Sequence, residues 1–514
     1  MSAHPRDLAG RGLMISFPGP TLTPATAELL ARTRAAGVVL FAGNIRGPAQ
    51  LAELCAALQA EAAALGLPPL LIAIDQEGGT VSRLPAPFVV PPSPQALAAT
   101  GDEQAAYAAA RISGLQLRAH GVNMNFAPVL DVNCNPANPV IGTRAFGADA
   151  TTVARFGLAA LGGYRDAGVI AVAKHFPGHG DTTVDSHHGL PVLPHDSARL
   201  EALELVPFRA ALAAGVPALM SAHVVFSALD DAPATLSPLV LRGLLRGRLG
   251  FDGLIVTDAL DMAAIAGRYG AVEAAVLARR AGADIVLPLG DAANQLAVAE
   301  GLAAAIEAGR LDAADFMATA RRIADLSAVY HLAASPPAAP DMDALEREAA
   351  ALARRSLTVS DRAGLLPLPR AARLAVIDCL QPRWNNAEEA TDRSAWLRTR
   401  LLERFPAAQY CALLPTDPAE AWARASASAG GGAATLLITR NAWADERQQG
   451  MIAALAATPT PIIHLAARGP QDARLLDAGA TLLSYGDPPL SLEAALARIA
   501  GEPGEPRPDH RAVR

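Results

Sequence analysis

The stretch from Lys174 to His188, KHFPGHGDTTVDSHH, carries the densest chemistry of the chain. It holds four of the eleven histidines, together with two aspartates and a lysine. It follows the apolar run Val169–Ala173, which predicts a buried strand. We therefore expect a strand that ends by presenting Lys174 and His175, followed by a polar loop that holds several proton-transfer groups.

A metal site is one chemistry that these residues permit, because imidazole and carboxylate groups are common metal ligands. The spacing argues against it: HxH at a strand end, HExxH and HxHxDH are all missing. Pro177 and Gly178 place a turn between His175 and His179, so these two do not share a helix face. A metal-dependent barrel hydrolase is thus the distant alternative, and we predict no metal or other cofactor. A phosphate site at Lys174 is weakly supported, because the sequence around this residue has no Walker pattern.

Glycosyl transfer fits the residue types better, since its retaining form needs a carboxylate nucleophile and a proton donor. Asp258 follows the apolar run Gly253–Thr257 and would be rigidly aimed as the nucleophile. Asp185 and His187 are two residues apart in a loop, so the carboxylate can fix the tautomer of a histidine acid. The alternative for this pair is a surface contact without a catalytic role.

A sugar also needs polar side chains that hold its hydroxyl groups. Asp75 can accept hydrogen bonds from two hydroxyls. The candidate donors are Arg83, Arg144, Lys174 and His175.

These residues must be positioned by a scaffold, and short apolar runs alternating with helical stretches indicate which one. The eight runs are 13–17, 37–41, 70–75, 123–131, 169–175, 218–225, 253–258 and 283–288. Eight strands alternating with helices predict an α/β fold with parallel βαβ units, most simply a (β/α)8 barrel of the TIM type. A doubly wound open sheet is the alternative, but no GxGxxG follows the first strand.

Polar residues cluster where five of these strands end. The clusters are Asp75–Gly79, Asp131–Asn133, Lys174–His175, Ser221–His223 and Thr257–Asp258. The carboxyl ends of barrel strands meet on one face, where barrel enzymes carry their active sites. Helix capping explains an occasional aspartate or serine; it does not explain Lys174, His175 and His223.

The rest of the chain predicts a second domain. We assign residues 1–332 to the barrel, 333–345 to a Pro-rich linker, 346–503 to a smaller α/β sandwich of flavodoxin-like shape, and 504–514 to a disordered tail. Five runs predict its strands: 373–379, 409–414, 435–439, 461–466 and 481–485. We expect neither a phosphate loop nor a cluster at these strand ends comparable to that of the barrel.

The composition of the chain argues against several classes of partner. A net charge of -7 and the lack of a Lys/Arg block argue against a nucleic-acid partner. The apolar run Leu13–Phe17 is too short for a secretory segment, and Ala210–Leu229 is interrupted by Gly, Pro, Ser and His, so we expect no membrane partner. Four widely spaced cysteines predict free thiols in a reducing compartment. We therefore expect a cytoplasmic protein with a small-molecule partner; its oligomeric state is not predicted.

Several motifs together resemble glycoside hydrolase family 3, in its β-N-acetylglucosaminidase branch and two-domain form. They are Lys174–Asp181 with Asp185–His188, Val256–Met262, Ile74–Gly79 and Gly142–Gly147, while Arg354–Val359 and Gly364–Leu368 resemble the start of the family's second domain. The resemblance covers the whole barrel in the right order.

The resemblance implies retaining removal of terminal non-reducing N-acetyl-β-D-glucosamine through a covalent glycosyl-aspartate. Asp258 would be the nucleophile, His187 the acid/base and Asp185 its dyad partner. The sugar-binding positions would be Asp75, Arg83, Arg144, Lys174 and His175. The implied substrates are small carbohydrates, either peptidoglycan fragments produced during peptidoglycan recycling or chitooligosaccharides.

The chain departs from some relatives by reading Gly78-Gly79-Thr80 where they have Gly-Gly-Arg, which affects the outer pocket. The nearest alternative is a family 3 β-glucosidase, with Glu388 or Glu389 as acid. A histidine acid would also admit phosphate as the second-step nucleophile, because imidazole does not repel a dianion.

Overall fold

Eight parallel strands form a barrel in the computed structural model, which describes residues 4–429 and 432–502. The strands are β1 (Met14–Ile15), β2 (Gly37–Leu40), β3 (Leu71–Ile74), β4 (Met124–Asn125), β5 (Ile170–Phe176), β7 (Ala218–Ser221), β9 (Leu254–Ala259) and β10 (Ile285–Leu287). They are hydrogen-bonded in that order, and a parallel bridge between Leu13 and Val286 joins the last to the first. All eight predicted strands are present, so the predicted barrel is confirmed.

Helices alternate with the strands on the outside of the barrel. They are α1 (Pro5–Arg11), α2 (Pro24–Thr33), α3 (Pro48–Ala64), α4 (Pro94–Ala99), α5 (Gln104–Ala119), α6 (Ala150–Asp166), α7 (Ser197–Ala202), α8 (Leu205–Ala213), α9 (Ala263–Tyr269), α10 (Ala271–Ala281), α11 (Ala292–Glu307) and α12 (Ala313–Val329), with a π-helix at Leu239–Arg248. Side-chain caps begin several of them: Asp149 accepts from the Thr152 amide before α6, and Asp291 from the Asn294 amide before α11.

Alternation along the strands builds two apolar layers. In β3, Leu71 and Ala73 point into the barrel interior, where they meet Met14, Val39 and Met124. Ile72 and Ile74 of the same strand belong to the layer between the barrel and its helices. Because both faces of the strands are buried, these strands read as continuous apolar runs, and this is why they could be located from the sequence.

A short pair of parallel strands, which was not predicted from the sequence, forms a separate sheet outside the barrel. Its strands are β6 (Val192–Leu193) and β8 (Val225–Phe226). It links the segment that follows His188 to the segment that follows β7. The pair therefore supports the loop that carries Asp185 and His187.

The second domain is a six-stranded sheet with helices on its faces, in the order β11-β16-β15-β14-β12-β13. Its strands are β11 (Thr358–Asp361), β12 (Leu374–Cys379), β13 (Gln409–Leu413), β14 (Ala434–Thr439), β15 (Ile462–Ala466) and β16 (Ala480–Leu483). Its helices are α13 (Met342–Ser356), α14 (Ser394–Arg404), α15 (Ala419–Ser428), α16 (Glu446–Ala456) and α17 (Pro489–Ala500). The five predicted strands are all present. The structure adds a sixth, the antiparallel edge strand β11, so the predicted count of five was wrong.

Helix α13 and several loop segments join the second domain to the barrel. Leu345, Ala349 and Leu352 of α13 pack in one apolar cluster with residues of α4 and α5. The Ser93 hydroxyl donates to the Tyr485 carbonyl over 2.5 Å. The predicted tail 504–514 lies outside the described residues, and within them no helix is both long and apolar enough to cross a membrane.

Candidate active site

A cavity of about 500 Å³ opens where the barrel strands end. Its base is apolar, with Val39, Phe126 and Met220 on barrel strands or just beyond them. Seven of the eight predicted site residues line it: Asp75, Arg83, Arg144, Lys174, His175, His187 and Asp258. Polar groups around an apolar floor suit a ligand with one hydrophobic face and many hydroxyls.

Lys174 and Arg144 are held by two carboxylates at the end of β3. The Lys174 Nζ lies 2.7 Å from Asp75 Oδ1 and 2.7 Å from Glu77 Oε1. Arg144 donates to Glu77 through Nε at 2.9 Å and Nη2 at 2.8 Å, and its Nη1 donates to the Val140 carbonyl at 3.0 Å. This leaves one of the three Lys174 donors and the second oxygen of Asp75 for a ligand.

Glu77 is the centre of this network, although it was not among the site residues predicted from the sequence. Its side chain is 1% exposed. Burial by itself raises the pKa of Glu77, but Arg144 and Lys174 overcome this and hold that pKa far below its ordinary value. Glu77 belongs to the strand-end segment 75–79, and its position two residues after Asp75 was the available signal.

His175 is oriented by Asp131, which lies on the segment that follows β4. The two bond at 2.6 Å between His175 Nδ1 and Asp131 Oδ2, while Asp131 Oδ1 accepts the amides of His175 at 3.2 Å and His179 at 2.7 Å. Burial raises the pKa of Asp131, but the contacts with His175 and His179 outweigh it and lower that pKa. Because Nδ1 is engaged and His175 lines the cavity, Nε2 is the ring nitrogen left for a ligand.

Asp258 lies near the end of β9, on the opposite side of the barrel from Asp75. Its Oδ1 accepts the Ala259 amide at 2.8 Å. Burial raises the pKa of Asp258, yet the histidines 223, 175 and 187 around it lower that pKa to about 2. His223 is buried and donates from Nε2 to the Ala259 carbonyl at 2.9 Å, which fixes the turn after the carboxylate. An ionised, rigidly held carboxylate is what a nucleophile requires.

Asp185 and His187 form the predicted pair on the loop after β5. His187 Nδ1 lies 2.6 Å from Asp185 Oδ1, which also accepts the His187 amide at 2.9 Å. The pKa of Asp185 is raised by burial but lowered by more through its bonds with His187. His187 lines the cavity with 21% of its side chain exposed, whereas Asp185 lies behind it. Nε2 of His187 is therefore the nitrogen available to a ligand.

His179 stabilises this loop through two side-chain hydrogen bonds within it. Its Nδ1 bonds the Thr182 hydroxyl at 2.8 Å and its Nε2 the Ser186 hydroxyl at 3.0 Å. Burial lowers the pKa of His179 to about 4. Gly180 packs against the Val132 carbonyl, where a Cβ would collide, so only glycine allows this close approach.

Asp181 of the same loop has partners outside the cavity. Asp181 pairs with His195 at 2.8 Å and with Arg199 at 3.4 Å, away from the cavity. Among the described residues, no group of three or more His, Cys, Asp or Glu side chains is arranged to hold a metal ion. The rings of His175, His179 and His187 are instead hydrogen-bonded to Asp131, Asp185, Thr182 and Ser186.

The second domain contributes to the cavity wall, which the sequence could not show. Asn386 and Ala387 line the cavity, and Arg83 donates to the Ala387 carbonyl at 2.8 Å. Glu388 is buried and pairs with Arg468 at 3.1 Å. Glu389 pairs with Arg83 at 3.1 Å. Both candidate acids of the β-glucosidase alternative are thus engaged in ion pairs.

A buried charged cluster lies at the strand ends of the second domain, so the expectation that this domain has no such cluster was wrong. Arg440 donates to Asp378 at 2.5 Å and to Asp487 at 2.8 Å, and Arg468 lies 3.3 Å from Asp487. The sequence did not predict it because its members are scattered over about 110 residues and meet only through the parallel sheet.

Comparison with known proteins gives a consistent set of relatives. The family model described as the glycosyl hydrolase family 3 N-terminal domain matches residues 13–326. A β-hexosaminidase A of Pseudoalteromonas piscicida is 37% identical over 379 residues, covering 68% of this chain and 63% of that relative. The match therefore spans less than two thirds of that relative's length. A β-hexosaminidase of Thiobacillus denitrificans is 42% identical over 281 residues, 54% of this chain and 77% of that relative.

One solved structure resembles the chain over nearly its whole length. A glycoside hydrolase family 3 β-N-acetylglucosaminidase from Paenibacillus sp. strain FPU-7 superposes with a TM-score of 0.90 at 37% sequence identity. The superposition covers 97% of this chain and 96% of that one. Barrel and second domain therefore follow one another here as they do in that enzyme.

Proposed function

The chain belongs to glycoside hydrolase family 3, and on that premise we propose that it is a retaining, exo-acting β-N-acetylglucosaminidase. The observation that carries the proposal is the placement of an ionised Asp258 and the Asp185–His187 pair around one cavity. On the facing side of that cavity lies the polar set that includes Asp75 and Lys174.

In the first step, the Asp258 carboxylate attacks the anomeric carbon while the bond to the leaving oxygen breaks. Nε2 of His187 gives its proton to that oxygen, and Asp185 stabilises the imidazolium form through Nδ1. In the second step, His187 takes a proton from water, the water oxygen bonds to the anomeric carbon, and Asp258 is released. The sugar keeps its β configuration because the two inversions cancel.

Binding of the sugar is assigned to Asp75, Arg83, Arg144, Lys174 and His175, all of which line the cavity. Asp75 and Lys174 share a hydrogen bond of 2.7 Å and still have a free acceptor and a free donor. Adjacent hydroxyls of a pyranose need such a paired acceptor and donor. The carboxylates and cations neutralise each other, which suits an uncharged sugar.

The choice of N-acetylglucosamine over glucose is supported by the names of the relatives and by the ion pairs of Glu388 and Glu389. We propose terminal N-acetylglucosamine of peptidoglycan fragments or chitooligosaccharides as the substrate. The four cysteines are free thiols, which agrees with the cytoplasm as the proposed compartment.

The test compares p-nitrophenyl β-N-acetylglucosaminide with the β-glucoside at equal concentrations. We expect strong preference for the N-acetyl sugar, and equal rates would contradict the proposal. Proton NMR of the first-formed product should show the β anomer; an α anomer would exclude the retaining mechanism.

A phosphorolytic reaction is a second candidate, favoured by one feature. The acid is a histidine, and an imidazole does not repel a phosphate dianion as a glutamate would. If phosphate competes with water, phosphate buffer yields N-acetylglucosamine 1-phosphate beside the free sugar. Free sugar alone in phosphate buffer would restrict the enzyme to hydrolysis.

A further inference from the structure

Arg83 belongs to the barrel, but its guanidinium group is held by the second domain. Its side chain is buried at 6% exposure, on the segment that follows β3. Nη1 donates to the Ala387 carbonyl at 2.8 Å and lies 3.1 Å from Glu389 Oε1. The nearest acidic partner within the barrel is Asp75 Oδ2, at 3.6 Å, which is beyond hydrogen-bonding distance.

This arrangement keeps one oxygen of Asp75 available. Oδ1 of Asp75 already accepts from Lys174 at 2.7 Å, so Oδ2 is the acceptor left for a sugar hydroxyl. Arginine–carboxylate pairs are frequently bidentate, with two parallel hydrogen bonds. If Glu389 did not draw Arg83 toward the second domain, Arg83 would close on Asp75 and occupy that acceptor.

We propose that Glu389 is a positioning residue, which aims Arg83 at the sugar and keeps Asp75 free, so that the second domain is a working part of the sugar-binding subsite. The inference rests on the function proposed above. The place of residues 386 and 387 in the cavity wall agrees with this role of the second domain.

The same geometry separates this role from that of a catalytic acid. Glu389 is not among the residues that line the cavity, and its side chain is 38% exposed. In the closed order of eight strands, β3 stands four places from β9, so the Arg83 region faces Asp258 across the barrel. Loss of Glu389 should therefore weaken sugar binding and leave the bond-breaking step nearly unchanged.

The experiment compares the kinetics of Glu389→Gln with those of wild type on p-nitrophenyl β-N-acetylglucosaminide. We expect KM to rise about fivefold to twentyfold, less than for a fully buried charged hydrogen bond because Glu389 is partly exposed, with kcat within about twofold. Glu389→Asp, which keeps the charge, should recover part of the affinity. The matched control is Glu403→Gln, which breaks an exposed pair with Arg400 in the same domain and should change neither constant.

A double-mutant cycle with Arg83→Ala decides whether Glu389 acts through Arg83. If it does, Glu389→Gln adds no further rise in KM to the Arg83→Ala variant. Additive effects would overturn the inference, as would an unchanged KM in Glu389→Gln. A collapse of kcat that azide restores would overturn it too, because it would make Glu389 the acid.

The inference and the proposed function can fail separately. If wild type prefers a different β-glycoside, the function fails, and the same cycle is run on the glycoside that it cleaves. If wild type cleaves the N-acetyl sugar but Glu389→Gln behaves as wild type, only the inference fails.

Discussion

Replacement of Glu77 by glutamine removes the charge that neutralises two buried cations. The Glu77 carboxylate bonds Arg144 twice, at 2.8 and 2.9 Å, and lies 2.7 Å from Lys174. Glutamine keeps the shape but offers one neutral acceptor oxygen, so Arg144 stays buried with its charge uncompensated. Breaking a buried pair in this way costs ~3–5 kcal/mol. In a domain of this size the melting temperature should fall by about 4–7 °C.

The measurement is thermal unfolding at pH 7, together with KM for the aryl N-acetylglucosaminide. The control is Glu28→Gln, whose partner Arg32 lies 4.0 Å away and whose side chain is 69% exposed. This exposed pair should contribute ~1 kcal/mol or less.

A double variant separates stability from binding. Replacing both Glu77 and Arg144 by methionine removes the whole pair, which is often neutral for stability. The melting temperature should largely recover while KM stays high, since the polar network around Lys174 is lost. The reasoning is refuted if Glu77→Gln has the melting temperature of the wild type and an unchanged KM.

Three further predictions concern the histidines. His187→Ala should slow natural glycosides by about 10²- to 10⁴-fold but slow p-nitrophenyl glycosides much less, because a good leaving group needs little protonation; equal losses on both would argue against an acid role. Asp131→Asn should lower kcat/KM by about tenfold to hundredfold, since His175 loses a charged hydrogen bond, and a normal value would show that His175 needs no such support. The pKa of His179 falls from 6.5 to about 4 on folding, so unfolded chains bind a proton that the folded barrel does not. Stability from this group is therefore full above pH 6.5 and declines as the pH falls to about 4, and melting curves of His179→Gln should show a weaker dependence over that range; an unchanged dependence would contradict this assignment.

The barrel could be predicted because burial on both faces makes each strand a short apolar run. Because the strands are parallel, the polar residues that end those runs, such as Lys174 and Asp258, meet on one face of the barrel. Strand β11 was missed since its residues are only half-buried and it runs antiparallel at an edge. An edge strand has weak alternation and no characteristic flanking signal.

Within the site, the sequence identified groups that face the ligand better than groups that support them. Asp258 and His187 are marked by their motifs, whereas Glu77 and Asp131 are buried carboxylates whose partners lie 44 to 97 positions away in the chain. The contact of Glu389 with Arg83 spans two domains. Such pairings depend on how domains pack, and no local pattern encodes that.

The most direct test of the account is to identify the residue that carries the glycosyl group. A slowly turned-over 5-fluoro N-acetylglucosaminyl fluoride should accumulate the covalent intermediate, and mass spectrometry of peptides should locate it. The account predicts one added fluorosugar on the peptide that contains Asp258, and none in Asp258→Asn. A label on Glu388, Glu389 or Asp261, or turnover by Asp258→Asn at the wild-type rate, would contradict it.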